Sequence, residues 1–347
     1  MLVASESQEC VTFRPMTLAM HAPDGFLNAP TALVAAIVSV VVVGLALRHS
    51  EEQLADRAIP LAGITAAFIF AAQMFNFPVA AGTTGHLLGG ALAAILLGPS
   101  VGVVVVTIVV VVQAFVFADG GITALGYNIL NMAIVPAYGG YAAFRLFRKM
   151  FPASPGGVVG ASGLAAWSSV VLSAMAFSIE WLFGASAPVA FDDVFSAMVG
   201  VHLLVGIGEG LISALAVGAV LAARPDLIYG ARDLDPVQLT DRRQMRTRTF
   251  VLGGLLVTLV FAGVVSQFAF DDPDGLDSVA EESGFAASGR EHVLADSPFA
   301  DYATAGIDNE RVSLAVAGVV GTLVTIAVGA GILLAIRDRR GRDPATV

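Results

Sequence analysis

The chain has 347 residues, 56% of them hydrophobic and only 13% charged, and carries a formal net charge of −10 at pH 7. Soluble globular domains average about 25% charged residues, so this composition excludes an ordinary water-soluble protein. Apolar runs approaching or exceeding the roughly 20 residues of a membrane-crossing helix recur along the chain. They predict an all-α integral membrane protein in a lipid bilayer, with no nucleic-acid partner.

Residues 1–19 come first. They hold the single cysteine, Cys10, and show neither a basic opening nor an apolar core, so they do not read as a signal peptide. The expectation is a misassigned start, with 1–19 a non-native extension and Met20 the true first residue. A polar segment follows, Met20-His21-Ala22-Pro23-Asp24-Gly25-Phe26-Leu27. With Met20 first, its amine, the His21 amide and the His21 ring offer three nitrogens within two residues. A deprotonated amide between an amine and an imidazole forms fused chelate rings in one plane. His86, in the Gly/Thr-rich run from Gly82 to Gly90, is placed to close the square. Such a nitrogen set selects Ni(II), Cu(II) or low-spin Co(II) over Zn(II) or Mg(II).

The plainer reading of each histidine is a hydrogen-bonded residue at the membrane edge. Three features favour ligation. Both histidines fall on one side of the topology derived below. Glycines around His86 allow close backbone approach. Pro23-Asp24-Gly25 is a turn signal that folds the chain end back. Thr83 and Thr84 are positioned to hydrogen-bond the second imidazole nitrogen and fix its tautomer.

Nine apolar segments are expected, near 31–47, 58–77, 86–98, 100–118, 122–147, 157–184, 194–223, 248–270 and 312–336. The third is too short to span comfortably and reads as a half-span or as a helix packed inside protein, where irregular backbone is tolerated. The Val-rich stretch 101–112 lacks the alternation of a membrane barrel strand. Of the 18 Lys and Arg residues, 15 fall in alternate loops, and only Arg14, Arg290 and Arg311 fall in the others. The positive-inside rule places the first set, and the C-terminus, in the cytoplasm. The N-terminus and the 78–86, 119–121, 185–193 and 271–311 loops then face outward from a plasma membrane.

Two units are expected. Residues 20–223 form a seven-segment bundle, and 224–247 a polar cytoplasmic linker. Residues 248–347 form a two-span module around the acidic outer loop 271–311. That loop either concentrates cations at the outer face or is simply solvated.

Polar residues inside spans are costly and turn toward the bundle. His202 and Glu209, seven apart, share a helix face; they support the site or hold the bundle by hydrogen bonding. Asn128 and Asn131 share a face near Asp119. Gln73 and Asn76 lie at the outer end of the second span, near His86. All six read as supporting or packing groups rather than ligands. Ala32 with Ala36, and Ala35 with Ser39, are small pairs that permit close helix contact, a partner membrane protein included. The chain has no phosphate-binding Gly-x-x-x-x-Gly-Lys-Ser/Thr loop and no His-Glu-x-x-His.

The motifs Met20 to Leu27, Gly82 to Gly90, Gln113 to Asn131 and His202 to Gly210 resemble the CbiM/NikM family. These are substrate-binding membrane components of cobalt and nickel energy-coupling factor transporters. The resemblance covers about 20–223. Pro273 to Asp277 and Ser297 to Tyr302 resemble the PDGLE module (CbiN/NikN-like), with Asp277 where the namesake Glu stands. The resemblance implies a metal held by the amine of Met20, the amide and ring of His21 and the ring of His86. It implies Co(II) or Ni(II) as transported substrate rather than a resident cofactor, no catalysis, and a role in cobalamin synthesis. The implied partners are a transmembrane T component (CbiQ/NikQ-like) and ATPase subunits (CbiO/NikO-like). Two alternatives come from other classes. A membrane metalloenzyme would use His202, Glu209 and His86 and needs an open coordination position beside a base. A gated cation channel needs weak, multi-site binding.

Overall fold

The computed structural model describes residues 21–53, 59–80, 82–234 and 245–340. The expected extension 1–19, with Cys10, and the expected first residue Met20 lie outside the described residues, as do residues 235–244 of the expected linker. The helices are α1 (Ala29–Gln53), α2 (Ile59–Gln73), α3 (Gly90–Leu97), α4 (Pro99–Val116), α5 (Leu125–Ile129), α6 (Val135–Arg148), α7 (Pro155–Gly184) and α8 (Phe191–Ala223). The C-terminal part adds α9 (Thr247–Gly263), α10 (Gly275–Ser283) and α11 (Glu310–Arg340). Six of these helices are long and apolar enough to cross a membrane, and α2 is a shorter apolar helix. In lipid a helix satisfies its own backbone, which is why the β-branched run of α4 is helical. The protein is an all-α integral membrane protein.

Three local expectations change. The stretch 86–98 is not one helix: residues 86–89 are irregular and only Gly90–Leu97 is helical. Gly89 (φ 78°) and Gly98 (φ 100°) take left-handed dihedrals that favour glycine at both ends of α3. A Cβ on Gly102 would sit 2.7 Å from the Ala94 nitrogen, so α3 lies directly against α4. Every residue of α3 is buried, as a short helix inside a membrane bundle requires. The 78–86 loop is a hairpin, β1 (Phe77–Ala80) antiparallel to β2 (Thr83–Gly85), pairing Phe77 with Gly85 and Pro78 with Thr84. The segment 122–147 is interrupted by a π-turn, Leu130–Ile134, just before Pro136, which has no N–H to donate.

The small face of α1 is occupied within the chain. Ala32, Ala35 and Ser39 are buried, a Cβ on Gly126 would fall 2.4 Å from the Ala36 Cα, and the Ser39 hydroxyl donates to the Gly126 carbonyl (2.7 Å). Leu33, Ile37, Val40 and Val41 on the remaining faces are exposed. The two long helices of the C-terminal part pack on α2, and their connection, including α10, folds over the ends of α4 and α8.

Candidate metal centre

The segment 21–28 is held by backbone and carboxylate hydrogen bonds that dictate its path. Asp24 Oδ1 accepts from the Thr123 N–H (2.7 Å), the Thr123 hydroxyl (2.6 Å) and the Ala124 N–H (3.0 Å). The Ala22 carbonyl accepts from Gly121 N–H (3.1 Å) and from Asn128 Nδ2 (3.0 Å). Tyr127 donates to the Pro23 carbonyl (2.8 Å). Glycines make room. A Cβ on Gly121 would meet Asp24 Oδ1 at 2.1 Å, and one on Gly120 (φ 80°) would meet His21 Cβ at 2.7 Å. The ring of Phe26 then packs edge to face on Phe285 behind the turn, and Phe285 lies tilted against Trp181 at 4.4 Å between centroids.

This path brings His21 against His86. Their ring centroids are 5.9 Å apart with planes at 78°, and both residues are buried. Metal–imidazole bonds are about 2.0–2.1 Å long, so two rings must come about this close before they can share one ion. His21 Nδ1 lies 3.4 Å from Asp119 Oδ1, and its Nε2 is buried without a hydrogen-bond partner. Burial pushes the His21 imidazolium toward deprotonation against the pull of Asp119. His86 Nδ1 lies 3.1 Å from the Leu87 carbonyl, and its Nε2 3.4 Å from Asp274 Oδ2. The rings open on a cavity of about 70 Å³ lined also by Asn131, Met198, His202 and Asp274. Among the described residues no group of three or more His, Cys, Asp or Glu side chains is placed to hold a metal ion. The side chains alone do not complete a coordination sphere.

The remaining predicted residues divide. Glu209 takes both N–H groups before α3, with Oε2 accepting from Leu88 (2.6 Å) and Oε1 from Gly89 (2.9 Å). Gln73 Nε2 donates to the Leu88 carbonyl (3.1 Å). The pair therefore clamps the backbone two residues from His86. His202 Nδ1 bonds its own helix at the Met198 carbonyl (2.7 Å), so His202 and Glu209 share a face without pairing. With both Glu209 oxygens occupied, the base that the metalloenzyme alternative needs is absent there. Asn128 holds Ala22, and Asn131 Nδ2 donates to Glu180 Oε2 (2.6 Å). Asn76 is buried, and its backbone carbonyl accepts from Phe270.

The expected Thr83 and Thr84 bonds to the imidazole are not formed. The Thr84 hydroxyl donates to the carbonyls of Asp272 (2.9 Å) and Pro273 (3.2 Å), and Thr83 bonds the Ser278 hydroxyl (2.8 Å). The hairpin thus docks the C-terminal part, which brings Asp274 to His86 and Tyr302 to the Asp119 that lies beside His21. Asp274 caps α10, Oδ1 accepting from the N–H groups of Leu276 and Asp277, while Oδ2 faces His86. Tyr302 donates to Asp119 Oδ2 (2.7 Å). Sequence reasoning placed Asp274 and Tyr302 only in the distal module. Their one signal was membership of the segments resembling PDGLE.

Burial alone would lower the His86 pKa, but the hydrogen bond and charge of Asp274 outweigh it and raise it to about 9 from the ordinary 6.5. A raised folded-state value stabilises the metal-free protein fully below about pH 6.5, and the stabilisation is lost as pH rises through about 9. The shift corresponds to about 3 kcal/mol. Metal-free Asp274→Asn is therefore expected to unfold more easily than wild type at pH 6–7, with the gap closing above pH 9. Denaturant melts across that range check this; parallel pH profiles would refute it.

The comparisons agree with this architecture. The family described as "CbiM: Cobalt uptake substrate-specific transmembrane region" matches residues 21–227, and the PDGLE domain matches residues 248–338. A relative from Haloquadratum walsbyi assigned to metal transport is 44% identical over 60% of this chain and 94% of its own. The fused nickel transport protein NikMN of Rhodobacter capsulatus is 29% identical over 92% of this chain and 98% of its own. A crystal structure of a truncated transition metal transporter superposes with a TM-score of 0.52 at 32% identity, covering 58% of this chain and 98% of that one. By sequence and by fold, the chain belongs to the CbiM family of cobalt-uptake substrate-specific transmembrane proteins and carries a PDGLE domain behind that region.

Proposed function

We propose that this chain captures Co(II) at the extracytoplasmic face and delivers it inward as the substrate-binding component of an ATP-driven energy-coupling factor transporter. Cobalt or nickel transport by a non-catalytic CbiM-type membrane component follows from the family. The finer reading rests on one observation, the buried meeting of His21 and His86 at 5.9 Å between ring centroids. Two rings leave a sphere half empty. The amine of Met20 and the amide of His21 complete a planar nitrogen set, of the kind that suits Ni(II) and low-spin Co(II). Cobalt is preferred on the family description; Ni(II) is the alternative, and the Irving–Williams order ranks it higher at such ligands.

The orientation has support from the helices. The N-terminal end of α5 sits beside Asp24, whereas α6 ends in Arg145 and Arg148 at the far side of the bundle. Basic residues mark the cytoplasmic side. On this reading residues 20–223 bind the metal, 224–247 link, and 248–347 cover the site from outside. The chain has no phosphate-binding loop, so release from a chelate draws on partner ATPases and a T component, with cobalamin synthesis as the destination.

The test uses two forms of the full chain. Protein whose first residue is Met20, verified by N-terminal sequencing, is expected to bind one equivalent of Co(II) or Ni(II). Protein retaining one residue before Met20 has an amide in place of the amine and is expected to lose nearly all metal. Equal loading of both forms would remove the amine from the cage. Uptake that persists without ATP would favour a channel instead.

A further inference from the structure

We infer that the groove between α9 and α11 seats an anionic phospholipid, with the Arg311 guanidinium on its phosphate. The inference goes beyond the functional reading above and does not depend on which metal is carried. Of the chain's 18 basic residues, 15 lie in loops on the side away from the candidate metal centre. Among the described residues, Arg290 and Arg311 are the basic residues on the near side. Both run against the charge distribution of the rest of the chain. Each stands at an apolar groove on the outside of the bundle, Arg290 at one of about 1240 Å³ along α1 and Arg311 at one of about 590 Å³. Among the described residues neither guanidinium has an acidic side chain within ion-pair distance.

The groove at Arg311 has the build of a lipid seat. Below the arginine it is walled by Val264, Phe268, Val312, Val316 and Val320. Its one other polar side chain, Gln267, is committed through Nε2 to the carbonyls of Arg311 (3.0 Å) and Gly263 (3.5 Å). An amphiphile with one anionic head and an apolar tail matches this division. Guanidinium pairs bidentately with phosphate, and basic pockets between membrane helices bind anionic lipid headgroups. Length selects a lipid over a partner's helix. Along α11 the groove runs from Arg311 to Val320, about 14 Å at the helical rise. That is half of the roughly 30 Å hydrocarbon core, the depth of one leaflet, whereas a crossing helix needs the whole of it. The seat lies at the root of the connection between α9 and α11, which carries Asp274 and Tyr302 to the rings.

The experiment counts lipids on the full chain by native mass spectrometry, after exchange into detergent with equal phosphatidylglycerol and phosphatidylcholine. An Arg290→Gln background leaves a single basic groove mouth on this side. There phosphatidylglycerol is expected to be retained about fivefold over phosphatidylcholine, the preference of one arginine for an anionic headgroup. Adding Arg311→Gln is expected to bring the ratio near one, because the apolar walls still hold either lipid. Gly263→Leu blocks the tail instead. Gly263 lines the groove, and a Cβ there meets nothing within 4 Å, so leucine fills the space without a clash. It is expected to remove one bound lipid of either kind while the protein melts as before. An unchanged ratio in Arg311→Gln, or an unchanged lipid count in folded Gly263→Leu, would overturn the inference. So would a dimer that Gly263→Leu splits, which assigns the groove to a second copy of the chain.

Discussion

Metal binding is expected to vanish in His21→Ala and in His86→Ala, each falling by far more than the roughly 10–100-fold typical of an outer partner. The two losses have different physical origins. His21→Ala removes one chelate ring; the backbone nitrogens that remain have no imidazole to lock the plane. In the proposed cage, His86→Ala leaves the Met20 amine and the His21 amide and ring but opens the fourth position to water. The residual complex should then bind weakly and exchange fast. Neither ring fills much of the core. Both open on a cavity of about 70 Å³, so alanine adds space beside an existing void and the bundle should still fold. Elemental analysis of purified protein, with melts to confirm folding, reads the outcome. Full metal retention in either folded variant would remove that ring from the site.

The helices were legible because lipid leaves a spanning segment few choices. Any long apolar run must satisfy its backbone internally, so the runs beginning near 31, 100, 157, 194, 248 and 312 correspond to helices α1, α4, α7, α8, α9 and α11. Legibility failed where burial in protein replaced lipid. Residues 86–89 stay irregular because Glu209 and Gln73 satisfy their backbone from other helices. Neither donor nor acceptor is adjacent in sequence, so no local pattern reports it. The close pairing of His21 and His86 was legible only through the motifs, since 64 intervening residues separate the two. The same limit explains Thr83 and Thr84. Proximity in sequence to His86 pointed their hydroxyls inward, whereas antiparallel pairing in the hairpin delivers them to Asp272, Pro273 and Ser278. The partners of the rings come from Asp119 and Asp274. Asp274 lies 188 residues beyond His86, and only the folded module brings it back.

Glu209→Ala is expected to be the most damaging single change away from the rings. The carboxylate is fully buried, at 0% exposure, and accepts from Leu88 and Gly89 at 2.6 and 2.9 Å. Hydrogen bonds to charged groups contribute about 1.5–3 kcal/mol each. Alanine strands two buried N–H groups, so a loss of about 3–6 kcal/mol in unfolding free energy is expected. The site should suffer with the fold. Leu88 is two residues from His86, its N–H is fixed by Glu209 and its carbonyl by Gln73. Freed on one side, this backbone no longer fixes where the imidazole points. Glu209→Gln keeps one acceptor oxygen and should fall between wild type and alanine in both melting and metal affinity. His202→Ala is the contrast. Its ring nitrogen bonds Met198 within the same helix, and its removal leaves the backbone before α3 clamped. Smaller losses are expected there in stability and in binding. If Glu209→Ala melts like wild type and binds metal normally, the clamp is not what orients His86, and the short buried helix α3 must hold that loop unaided.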